Sequence, residues 1–331
     1  MIKKLVTIAF IGFLISVVLM HTMYRQMNEP LAVESAVLFE VKAGDTMNSL
    51  SQRIKQQQWL ANRFWLRSFV RLNPEYAQIK QGTYLVKPGD STMELLKTIV
   101  DGKEHQFTVT LIEGLTLKQW LVQLRQQSGL KITDNTKDVA SVVSALALRE
   151  QNPEGLFLPE TYAFTRGTQD IEILKRAHKA MSETLDDLWQ ARASNLPYTT
   201  AYQALIMASI IEKETGRIEE QATISSVFVN RMNKKMRLQT DPTVIYGMGE
   251  NYNGNITKKD LKQLTPYNTY RINGLPPTPI AMPGIKAIQA ALHPVKTNLY
   301  YFVAKGDGSH YFSKTLAEHN AAVRKYQLGI K

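Results

Sequence analysis

Two glutamates end the stretch ALIMASIIEKET at residues 204–215, and they are the side chains best placed to move a proton. On a helix, Glu214 shares a face with Met207, Ile210 and Ile211. The corresponding positions before Glu212 are Leu205, Ala208 and Ser209, a smaller and more polar patch. The two acids lie about 200° apart on a helix of ~3.6 residues per turn, so they cannot line one cleft together. A carboxyl at the end of an apolar stripe loses hydration, which raises its pKa and favours the protonated form. That is the form a general acid needs near neutral pH. Glu214 is the candidate acid; the plainer alternative is a helix end leaning into solvent.

Further polar groups stand in irregular segments. GLFLPETYAF, residues 155–164, holds Glu160, readable as a second catalytic carboxylate or as a surface acid. MRLQTDPTVIYGMG, residues 236–249, supplies Gln239, Thr240 and Asp241, and the proline-rich stretch 265–284 supplies Tyr267, Asn268 and Tyr270. A long ordered loop rich in Tyr and Asn suits a sugar groove, where rings stack on sugar faces and amides bond hydroxyls. A loop packed by its own prolines is the alternative. His105, His293, His310 and His319 fall in no metal-ligand spacing such as HExxH, there is no phosphate-cradling loop or Gly-x-Ser-x-Gly elbow, and no metal or cofactor is expected.

The elements that must position these groups are bounded by composition. The 331 residues suffice for two ordinary domains, and the absence of cysteine excludes disulfides, thiolate metal sites and a Cys nucleophile. The net charge of +11 favours anionic partners, but the basic residues are dispersed and nucleic acid is not expected among them. Lys3 and Lys4 precede an uncharged apolar run that reaches, through Met23, ~19 residues, close to a membrane span. Small residues suited to signal cleavage do not follow it, which favours an uncleaved anchor with a cytoplasmic N-terminus.

After the anchor, FEVKAGDTMNSLSQRI and LVKPGDSTMELLKTI form a near-repeat: a strand-like start, a V-K-x-G-D turn and an amphipathic helix. Ser91 and Glu94 have capping-box spacing in the second copy, as do Thr116 and Gln119 in a fainter third copy, TVTLIEGLTLKQWLVQL. Helical patterns follow over residues 170–194 and 219–232, with Ile224, Val227, Phe228 and Arg231 at helical spacing in the latter. Two strand-like runs around a Gly-Asp-Gly turn and a last helix close the chain. The expectation is an α+β fold: a tail (1–4), a transmembrane helix (5–23), a linker (24–37), a small strand–helix subdomain (38–103) and a larger mixed α+β catalytic domain (104–331).

The V-K-x-G-D openings resemble LysM modules, which implies a peptidoglycan-binding unit. IIEKET, NRM, MRLQTDPTVIYG, YNTY, GLPPTPIAMPG, ALHP, YYFVA and HYFSKTLAEHN, in that order, resemble the endolytic murein transglycosylase family, the YceG-like or MltG family. The resemblance implies a periplasmic catalytic domain anchored in the inner membrane. Its activity would be cleavage of nascent peptidoglycan glycan strands at MurNAc–GlcNAc bonds, with peptidoglycan synthases as candidate partners. Glu214-Thr215 after Glu212-Lys213 is similar to the Glu-Ser of other lytic transglycosylases. Such an enzyme needs one carboxyl, acid then base, because the muramyl C6 hydroxyl attacks its own anomeric carbon. Gln239, Thr240, Asp241, Tyr267, Asn268 and Tyr270 would hold sugars or support the cleft. Two alternatives remain open: a water-using muramidase pairing Glu214 with Asp241 or Glu160, and a non-catalytic peptidoglycan-binding scaffold.

Overall fold

Each V-K-x-G-D turn closes in the same way. Asp45 accepts from the Lys42 backbone N–H at 2.7 Å, and Asp90 from that of Lys87 at 2.7 Å. The intervening Gly44 and Gly89 take φ of 80° and 93°, the left-handed region that favours glycine. Each turn hands the chain to a helix with a capping box, Thr46 with Ser49 and Ser91 with Glu94. A third box, Thr116 with Gln119, starts the helix of the faint third copy.

The computed structural model describes residues 2–329 and divides them into two units. The first comprises residues 1–107 with 163–167. It contains α1 (Ile2–Asn28), β1 (Val37–Val41), α2 (Met47–Gln56), α3 (Phe64–Leu72), β2 (Gly82–Val86) and α4 (Thr92–Asp101). β1 and β2 pair antiparallel, Val37 opposite Val86 and Val41 opposite Gly82. Alternation along the strands turns Phe39, Val41, Tyr84 and Val86 inward, onto Leu50, Ile54, Leu95, Leu96 and Ile99 of the helices. α1 is long and apolar enough to cross a membrane, with a mean hydropathy of 2.3 over its best 18-residue window. Its residues up to Met20 are exposed, whereas Met23 and Met27 are buried with Leu31 and Val33 in the core of this unit. Residues 24–37 are therefore not a free linker. Their methionine, leucine and valine side chains form a second, buried periodicity directly after the exposed one.

The second unit comprises residues 108–162 and 168–331. Most of β3 (Phe107–Thr110), α5 (Leu117–Arg125), α6 (Val139–Ala145) and the first half of β4 (Thr161–Phe164) come first, with β3 paired to β4. Then come α7 (Asp170–Gln190), α8 (Ala201–Glu214), α9 (Ile218–Asn233), α10 (Asp241–Met248), α11 (Lys258–Lys262) and α12 (Ile285–Leu292). β5 (Tyr301–Ala304), β6 (His310–Ser313) and α13 (Leu316–Tyr326) finish it, β5 opposing β6 with Tyr301 across from Ser313. The fold is mixed α+β with an apolar N-terminal helix, as expected at that level.

α8 is the axis of this unit. Every residue from Ala204 to Ile211 is buried, and the helix packs on α7, α9, α10 and α12. The sequence suggested one apolar stripe beside a more polar patch. Both faces are covered, because Ala208 and Ser209 allow close approach and Ser209 satisfies itself on the Ile206 carbonyl while accepting from the Ile280 N–H. Each fully buried Leu or Ile here contributes roughly 1.5–3 kcal/mol. The helix ends at Glu214 because Thr215 turns to extended backbone.

Candidate active site

Glu214 sits where α8 leaves the core, partly covered, on a cavity of about 470 Å³. The cavity is lined by Arg231 of α9, Gln239, Thr240 and Asp241 at the start of α10, Tyr270 of the following loop, and Tyr301, His310 and His319 of the C-terminal strands and helix. Burial pushes the Glu214 carboxyl up most strongly. The Thr240 hydrogen bond pulls it back, Asp241 raises it and Arg231 lowers it, for a pKa of about 7. That is a carboxyl able both to give and to take a proton near neutrality.

Thr240 Oγ1 donates to Glu214 Oε1. A cluster of buried threonines fixes the donor. Thr269 Oγ1 accepts from the Thr240 N–H at 3.0 Å, Thr243 donates to the Thr240 carbonyl at 2.8 Å, and the Thr243 and Thr269 hydroxyls meet at 2.9 Å. The preceding residue, Gln239, has φ of 53°, a conformation costing a non-glycine residue about 1–3 kcal/mol. Its N–H donates to the Thr269 carbonyl at 3.2 Å, which holds the turn in place.

Arg231 is the buried cation of the site. Its Nε donates to the Tyr300 carbonyl at 2.6 Å and its Nη1 to the Leu238 carbonyl at 2.6 Å, with the guanidinium 5.1 Å from the Tyr301 ring centre. Tyr270 donates to Asp241 Oδ1 at 2.7 Å, and burial together with that carboxylate pushes the phenol upward. At the cavity edge, His310 holds Glu220 by Nδ1 at 2.7 Å and by its backbone N–H at 3.1 Å.

The structure thus gathers Glu214, Gln239, Thr240, Asp241 and Tyr270 at one cavity and sets the other candidates elsewhere. Glu160 is exposed, and its carboxylate accepts from the Thr161 N–H at 3.0 Å. Glu212 faces away from Glu214 and accepts from the Gly284 N–H at 3.1 Å; burial and nearby Glu113 push it to about 7. Tyr267 lines a different cavity, of about 850 Å³, and bonds Thr278 at 2.8 Å. Asn268 is 1 % exposed and serves the loop rather than a groove. Its amide donates to the carbonyls of Asp260, Leu261 and Gln263, and its Oδ1 accepts from the Tyr270 N–H. Asn268→Ala is expected to cost ~2–4 kcal/mol in chemical denaturation, since several buried carbonyls lose their donor. An unchanged midpoint would contradict that role.

Sequence reasoning did not assign Arg231, Tyr301, His310 or His319 to this cavity, and it passed over Glu154, which lines the larger one. Arg231 carried a signal, an arginine at the helical spacing of an apolar face, which requires buried acceptors. Glu154 carried none. It is 5 % exposed, accepts from the Leu117 N–H at 2.8 Å and from Tyr246 at 3.3 Å, and burial pushes it to about 7. A folded-state pKa raised above the unfolded value means that the stabilising contribution is full below about pH 4 and is lost as pH rises through 7. Glu154→Gln is therefore expected to unfold at higher temperature than wild type at pH 8, by on the order of 1–3 kcal/mol, and to differ little at pH 4. A variant less stable than wild type at pH 8 would show that the charged form is favoured there.

A family model described as the YceG-like family matches residues 39–325. An endolytic murein transglycosylase of Bacillus subtilis (strain 168) is 29% identical over 321 residues, covering 91% of this chain and 88% of that protein. One from Streptococcus pneumoniae serotype 2 is 27% identical over 293 residues, covering 78% of this chain and 53% of that protein. A crystal structure of a yceG-like protein from Listeria monocytogenes aligns at a TM-score of 0.53 with 32% identity, covering 87% of this chain and 99% of that one. The family match takes in Glu214, the threonine cluster and the strands that close the cavity, and the chain belongs to the YceG-like family.

Proposed function

We propose that this chain is a membrane-anchored endolytic lytic transglycosylase. It cleaves the MurNAc–GlcNAc bond of nascent peptidoglycan strands, leaves 1,6-anhydro-MurNAc ends and so ends strand growth. The observation that carries this reading is one carboxyl, Glu214, raised to about 7 and held by the Thr240 hydroxyl at a cavity of this chain, whose relatives are named for the activity.

Glu214, protonated, gives its proton to the leaving glycosidic oxygen. Thr240 occupies Oε1, so the acidic proton sits on Oε2. As the bond breaks, Glu214 becomes the carboxylate that takes the proton from the muramyl C6 hydroxyl. That hydroxyl closes the anhydro ring on its own anomeric carbon, an intramolecular attack that gains effective molarity and needs no protein nucleophile. Arg231 and Thr240 both stabilise the charge that Glu214 acquires midway. Tyr270 restrains Asp241 beside it.

Asp241 in the same cavity favours a second reading, a hydrolase that uses water and two carboxylates. Mass spectrometry of products from purified peptidoglycan decides between them, since the anhydro product is one water lighter than a reducing end. The anhydro product is expected, and Glu212→Gln should still form it, because that side chain meets Gly284 rather than the cavity. Release of reducing ends alone would overturn the transglycosylase reading. The N-terminal helix anchors the enzyme in the inner membrane with Lys3 and Lys4 cytoplasmic and the rest periplasmic. The first unit acts as a LysM-like contact to glycan, and peptidoglycan synthases supply the strand.

A further inference from the structure

The cavity between α5, α10 and the turn at 249–252 is the larger of the two, about 850 Å³ against about 470 Å³, and the chemistry above makes no use of it. We infer that it receives the acidic peptide arm borne by muramyl residues, so that the enzyme selects peptide-bearing glycan over bare glycan. The inference rests on the proposed function and names the substrate class of that same site.

Position is the first support. Lys213 lines the larger cavity and Glu214 the smaller; Pro242 lines the larger and Asp241 the smaller. Consecutive Cα atoms are ~3.8 Å apart, so the cavities stand back to back across the last turn of α8 and the first of α10. A polymer whose sugar sits at Glu214 and whose side arm leaves that sugar suits two adjoining cavities better than a small ligand does. Lining is the second. Leu117, Pro242, Ile245 and Tyr252 give apolar walls for aliphatic residues, and the volume is within the ~300–1,000 Å³ of ligand sites.

Charge is the third support. Lys118 at the mouth is already paired with Glu250. The Lys213 ammonium is held by a neutral acceptor, the Gly114 carbonyl, at 3.0 Å. Glu212 acts on it through space, but that carboxyl is turned to the Gly284 N–H. The cavity's own buried carboxyl, Glu154, is held by the Leu117 N–H and the Tyr246 hydroxyl, so Lys213, bonded to a carbonyl, keeps its charge for a carboxylate that a peptide arm supplies.

The test is equilibrium binding to the full chain in detergent carrying Glu214→Gln, which prevents turnover. The probes are glycan strands of one length, with peptide arms or with the arms removed by an amidase. Peptide-bearing strands are expected to bind about tenfold more tightly. Lys213→Met and, independently, the cavity-filling Ile245→Trp should each bring the ratio close to one while leaving bare-strand affinity unchanged. That unchanged affinity shows that both variants are folded. Equal affinity for the two strands, or a ratio untouched by both variants, overturns the inference and leaves the proposed function standing. Failure to bind either strand overturns both.

Discussion

Glu214→Gln is expected to lower glycan cleavage by ~10³-fold or more while the protein stays folded, because general acid catalysis by one positioned group is worth about 10²–10⁴ and here the same group also acts as base. Glutamine keeps the shape and can still accept from Thr240, so the cavity is preserved, but it has no proton to give. Its stability has a definite sign as well. The raised carboxyl contributes fully to the fold below about pH 4 and loses that contribution as pH passes about 7, so the neutral amide should make the variant the more stable of the two at pH 8. Loss of activity with unfolding would not test the assignment, whereas loss of activity with a raised melting temperature at pH 8 would support it. Anhydro products released at the wild-type rate would remove Glu214 from the mechanism. A wild-type chain that binds strands without cutting them would instead make it a scaffold.

The position of Glu214 at a cavity was legible in the sequence for a reason only partly correct. A stripe of Met207, Ile210 and Ile211 pointed to Glu214, yet α8 is buried on every face from Ala204 to Ile211, and what distinguishes Glu214 from Glu212 is its exit into a cavity beside Thr240 and Arg231. Local signals survived well: the capping boxes at Ser91 and Thr116, the V-K-x-G-D turns, and the hairpin before the last helix are set within a few residues and appear as expected. Long-range partners did not. Tyr267, Asn268 and Tyr270 are adjacent in sequence but serve a second cavity, a loop lock and the Glu214 cavity in turn. Composition names a tyrosine-rich loop; only the path of the backbone decides which ring faces which space. Residues 24–37 read as a linker because their apolar residues are sparse, yet Met27, Leu31 and Val33 are buried and tie that otherwise mostly exposed segment to the core of the first unit.

In the proposed mechanism the Thr240 hydroxyl sets the pH range in which Glu214 works, and its removal should shift that range upward. Wild-type kcat is expected to be flat on the acid side and to fall about tenfold per pH unit above about 7, as the proton Glu214 must donate is lost. Among the influences on that carboxyl, burial raises the pKa and the Thr240 bond lowers it. Thr240→Val keeps the volume and removes the donor, so the pKa rises further and the alkaline limb moves to higher pH. The plateau should drop roughly tenfold at the same time, because the variant no longer fixes which oxygen carries the proton and no longer stabilises the carboxylate formed midway. Thr240→Ser, which keeps the hydroxyl, should restore both the plateau and the limb. A threonine that merely packed against Thr243 and Thr269 would lower stability in the valine variant without moving the limb. A limb that stays put or moves to lower pH would therefore detach Thr240 from proton transfer and leave burial alone to account for the acid.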